Sequence, residues 1–80
     1  MPHQKAVARW LAALDAALAV CEDRPPDDAA WDALAHLSEE DEKLAGYCRQ
    51  FEAAMMLPYQ EQRRVEAAAA LARIKRTLGQ

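Results

Sequence analysis

The sequence predicts an all-α fold, an antiparallel helical hairpin or three-helix bundle formed by one domain over residues 1–80. Three observations carry that prediction. Apolar residues recur at alternating steps of three and four along most of the chain, the period of a helix with one buried face. Residues that favour strands by β-branching are confined to Val7, Val20, Val65, Ile74 and Thr77. Proline stands only at 2, 25, 26 and 58 and glycine only at 46 and 79, so the uninterrupted stretches are long enough for helices.

The first helix is expected over 4–21. Val7, Leu11, Leu14, Leu18 and Cys21 form its stripe, which Trp10 and Ala17 widen, while Lys5, Arg9 and Asp15 fall elsewhere. Asp23-Arg24-Pro25-Pro26 then stops it, because proline lacks the amide and restricts the residue before it.

The second helix is expected over 27–56, with Asp27 as N-cap and Asp28 in the first turn. Leu34, Leu37, Asp41, Leu44, Cys48, Phe51 and Met55 keep a strict three-four spacing through it, a coiled-coil-like seam with one carboxylate set among apolar residues. That unbroken phase argues for one continuous helix. A competing reading takes Ser38 as a second N-cap with acids in the following turn, giving a short helix 27–37 and another from 39.

Leu57-Pro58-Tyr59 predicts a tight reversal; the alternative is a kink in a single long helix. The third helix is expected over 59–77, with Arg64, Ala67, Leu71, Ile74 and Leu78 on one seam, flanked by Val65, Ala68 and Ala72. Arg73, Lys75 and Arg76 suit its last turn and Gly79 its end.

Composition bounds the chemistry. Of the 52 % apolar residues nineteen are alanine, which favours helix but buries little area, so the burial free energy of this 80-residue chain is modest and a partner would add usefully to it. The net charge of −3 hides an asymmetry. Residues 22–42 hold nine acids against Arg24 alone, whereas 43–80 hold seven bases against three acids. Acids at helix starts and bases at helix ends account for much of this, and the two regions can also attract each other if the helices fold back.

No apolar run approaches a membrane span and the start is not a signal peptide, so no membrane insertion and a cytoplasmic location are expected. Cys21 and Cys48 lack CxxC spacing and read as reduced thiols in helix packing. His3 and His36 stand apart; Asp32 and Glu40 flank His36 at helical spacing, but three or four converging ligands are absent, so neither metal nor cofactor is expected. The acidic run Glu39 to Glu42 lacks the spacing and central glycine of a calcium loop. No nucleophile sits beside a base and no glycine-rich loop is present, so the chain reads as a non-enzyme without a small-molecule substrate. Arg63, Arg64, Arg73, Lys75 and Arg76 make a basic group on the last helix, yet the acidic overall balance argues against nucleic acid.

A protein partner, or a second copy in a homodimer, remains. Met55 and Met56 cannot both face one interior, and Leu57 and Tyr59 extend the apolar surplus. Leu44, Tyr47, Phe51, Met55, Met56 and Tyr59 are therefore the expected partner-binding residues, of the adaptable types common at interfaces.

The stretch from Ala6 to Ala54 resembles the small helical export chaperones of bacterial flagellar and type III secretion systems, the FliT type. The resemblance rests on a first amphipathic helix ending in Leu14, Leu18 and Cys21, then Trp31-Asp32-Ala33-Leu34, Leu37, and the acid-rich Ser38 to Glu42 before Leu44. It implies binding of a disordered secretion substrate, such as a filament-cap protein, in the apolar groove of the hairpin. This chain departs from the pattern by ending after the third predicted helix, where relatives often carry a further helix that regulates access. Two other readings stand beside it: a structural helical subunit of a larger complex, and a small inhibitor whose acidic segment 22–42 imitates nucleic-acid charge.

Overall fold

The computed structural model describes residues 4–20 and 28–79. Four helices follow in order: α1 (Gln4–Val20), α2 (Asp28–Glu40), α3 (Glu42–Met55) and α4 (Gln60–Thr77), with no strand among the described residues. The class is all-α, as the sequence predicts. The expected end of the first helix at Cys21, the Pro25-Pro26 stop and the Asp27 cap lie outside the described residues.

The predicted second helix is two helices. Asp41 sits between them in an extended conformation, φ −163° and ψ 148°, so the helical path is interrupted at one residue. The physical reason lies in the seam itself. A continuous helix would turn the Asp41 carboxylate towards a packed partner helix, and desolvating a charge there is costly. The break leaves Asp41 exposed, while Leu37 before it and Leu44 after it are both buried. The break also falls three residues beyond Ser38. That hydroxyl caps nothing at a helix start: it donates back to the Leu34 carbonyl at 2.7 Å, inside α2.

The chain reverses fully at Pro58. The amides of Met56 and Leu57 donate to the carbonyls of Ala53 and Ala54, both at 3.2 Å, closing α3. Tyr59 then takes an extended conformation as N-cap of α4. At the far end, Gly79 adopts φ 79° and its amide donates to the Arg76 carbonyl at 3.1 Å, a left-handed stop suited to glycine.

The helices pack in a ring: α1 on α2, α2 on α3, α3 most extensively on α4, and α4 only lightly on α1. The molecule measures 38 × 20 × 18 Å. Leu11, Leu14 and Ala17 of α1 meet Leu34 and Leu37 of α2 in the shared interior. Cys48, Phe51 and Met55 of α3 and Ala67, Leu71 and Ile74 of α4 complete it. No charged or polar residue is buried among the described residues. Alanine at 30, 33, 67 and 70 is buried too, which lets backbones approach closely while contributing little area.

Charge follows helix ends in part. Asp28, Glu42 and Glu61 lie in first turns, and Lys75 and Arg76 in the last turn of α4. Across helices, Lys75 Nζ meets Asp15 Oδ1 of α1 at 3.0 Å. Arg73 donates to Gln50 of α3 at 3.0 Å. Neither of these contacts reaches the acidic 22–42 segment, so they do not supply the attraction its charge suggests.

Candidate functional site

The reversal between α3 and α4 carries the most exposed large apolar side chains. Met56 is 77 % and Tyr59 71 % accessible, against 6 % for the adjacent Met55. Helical geometry separates the two methionines: Met55 ends the inward seam of α3, and Met56 is the first residue past it. Arg63 holds the turn from α4. Its amide donates to the Tyr59 carbonyl at 2.9 Å and its Nη1 to the Leu57 carbonyl at 3.1 Å. Two exposed apolar side chains are thereby displayed on a braced turn.

Beside the turn a groove of about 370 Å³ runs between α3 and α4. Ala53, Ala54 and Leu57 form its apolar floor, with Gln50, Glu66 and Arg73 along the rim. The Arg73–Gln50 hydrogen bond crosses one end. The groove thus offers an apolar strip bordered by one acid, one base and one amide.

Three of the six residues expected to meet a partner do not form this surface. Leu44 and Met55 are buried and Phe51 is fully so, because α2 and α4 both pack on α3 and the seam joins the shared core. Tyr47 is half-buried and packs against the same core. Met56 and Tyr59 are the members that stay at the surface. Gln50, Ala53 and Glu66 are not singled out by sequence reasoning, and Arg73 only as one of the basic residues of the last helix. Their only signal was indirect: once Pro58 is taken as a reversal, the flanks of α3 and α4 must face each other.

A second groove, about 410 Å³, lies between α1 and α2 and is lined by Arg9, Trp10, Ala13, Ala29, Asp32 and His36. Its centre is an aromatic stack of Trp10 on His36, and His36 Nε2 lies 3.5 Å from Asp32 Oδ2. The imidazole, its side chain 48 % accessible, thus joins α2 to α1 at the surface. No group of three or more His, Cys, Asp or Glu able to hold a metal occurs among the described residues.

Cys48 is a free, fully buried thiol. Burial pushes its pKa above the ordinary value; the Ser38 hydrogen bond opposes this, Glu52 adds to it and Arg49 opposes it. Such a thiol is a poor nucleophile at neutral pH. No helix of the described residues is long and apolar enough to cross a membrane. No protein-family model, curated protein or solved structure matches the chain.

Proposed function

We propose that this chain is a protein-binding helical module that takes an amphipathic segment of another protein at the α3–α4 turn, in the manner of a secretion-substrate export chaperone. The observation that carries the reading is the exposure of Met56 and Tyr59 beside the Ala53–Ala54–Leu57 groove. A helix laid along that groove would bury its apolar face on the alanine floor and the two exposed side chains, with Arg73 and Glu66 selecting its orientation. The reading assigns the chain no catalytic step and no cofactor, and its site of action is the cytoplasm. The secretion context rests on the resemblance of residues 6–54 alone.

A photo-reactive amino acid placed at Ala53, with one at the exposed Ala35 of α2 as control, tests the assignment in the native host. A covalent adduct with a second protein at position 53 and none at 35 supports it. No adduct at 53, or adducts equally at both positions, contradicts it.

A further inference from the structure

The four helices divide into two hairpins at a single residue. In the first, α1 packs on α2; in the second, α3 packs on α4 more extensively than any other pair, and Arg73 donates to Gln50. Between the hairpins, α2 meets α3, α1 touches α4 lightly, and Lys75 Nζ donates to Asp15 Oδ1 and Oδ2 at 3.0 and 3.2 Å. Asp41, in its extended conformation, is all that separates α2 from α3.

From this arrangement we propose that Asp41 is a hinge on which the chain opens, so that two copies exchange hairpins. The α1–α2 half of each then closes on the α3–α4 half of the other. The closed chain itself selects the occupant. Leu14, Leu34 and Leu37 of the first half already share one core with Phe51, Leu71 and Ile74 of the second. A second copy presents the same half, and exchange about a two-fold axis restores every contact between halves, the Asp15–Lys75 pair included.

Exchange also supplies what the closed chain lacks, which is helix continuity. The first-turn amides of α3 receive no side-chain cap from Asp41, and the last carbonyls of α2 end at the same break. With Asp41 helical, α2 and α3 join over residues 28–55 and those groups pair along the backbone. The apolar phase permits this, because Leu34, Leu37, Leu44, Cys48, Phe51 and Met55 keep their three-four spacing across the joint. Two terms oppose it: the Asp41 carboxylate entering that seam, and the entropy of association, so concentration decides between the forms. The α3–α4 groove lies within one half and is the same in both forms, so the exchange stands independently of the proposed docking there.

Unlabelled and isotope-labelled full chains, mixed equally, unfolded in urea, refolded together over a range of concentrations and separated by size, test the exchange. Carbodiimide then couples the Asp15 carboxylate to the Lys75 amine across their contact. The expected result is a fraction at twice 8.9 kDa that grows with refolding concentration and persists on dilution. Its linked Asp15–Lys75 peptides join labelled to unlabelled chains, whereas those of the monomer never do. Asp41→Leu, which removes the opposing charge, is expected to raise the dimer-to-monomer ratio by about tenfold. A wild type that is monomeric at every concentration, a dimer whose linked peptides each come from one copy, or a ratio that Asp41→Leu leaves unchanged or lowers overturns the proposal.

Discussion

The indole of Trp10 lies parallel to the imidazole of His36, with 5.1 Å between ring centroids and 7° between planes. One ring comes from α1 and the other from α2, so the stack is part of what docks the first helix. Aromatic pairs of this kind contribute about 0.5–1.5 kcal/mol beyond their area. A double-mutant cycle with Trp10→Leu and His36→Ala is expected to show coupling within that range by urea unfolding. Additive losses would mean that the stack contributes only burial.

Phe51 is fully buried in the core that the helices share. Phe51→Ala is therefore a folding variant, with an expected loss of about 3–5 kcal/mol. In an 80-residue chain that is much of the total stability. Circular dichroism is expected to show lost helicity or a sharply lowered midpoint. Full native stability would place Phe51 at a surface.

Asp41 terminates the break between α2 and α3 but makes no side-chain capping bond. Asp41→Ala thus forfeits only the interaction of its exposed, salt-screened charge with the start of α3, at the lower end of about 0.3–1 kcal/mol, instead of the ~1 kcal/mol typical of a bonded cap. Asp41→Leu is the stronger probe. It completes the apolar seam and favours a straight helix, so small-angle scattering is expected to show a radius of gyration above that of the compact fold, 11.7 Å over Cα atoms.

The raised pKa of Cys48 sets a sign. A thiol whose folded value lies above its unfolded value keeps its proton longer in the folded state. Its contribution is complete below the ordinary value of 9.0 and is lost as pH rises through and beyond it. Stability of the wild type is expected to fall more steeply above pH 9.0 than that of Cys48→Ala. Parallel profiles would contradict this. In a Cys21→Ser background, alkylation of Cys48 is expected only at the rate of unfolding.

Much of the fold is legible in the chain because its signals are local. The stripe of Val7, Leu11 and Leu14 and that of Ala67, Leu71 and Ile74 mark helices whose buried faces match their periodicity. Pro58 marks the reversal. The break at Asp41 was obscured because the apolar phase is preserved on either side of it, so spacing alone cannot separate a straight helix from two joined at one extended residue. The carboxylate within the seam was the available clue. The docking surface was harder to read, since Phe51 and Met56 are equally suited to an interface and only the packing of the other helices around α3 buries the first. The groove of Gln50, Ala53, Glu66 and Arg73 arises from two helices together and leaves no mark in either.

Met55 and Met56 provide the most direct test of the account, because two neighbouring residues of identical chemistry differ only in burial, 6 % against 77 % accessible. Brief treatment of the native chain with dilute peroxide, read residue by residue by mass spectrometry, reports on that difference. Rapid sulfoxide formation is expected at Met56, with Met55 protected until the chain is unfolded. Equal oxidation of the two in the native state would contradict it, since the Leu44–Phe51–Met55 seam would then be open to a partner and not sealed within the bundle.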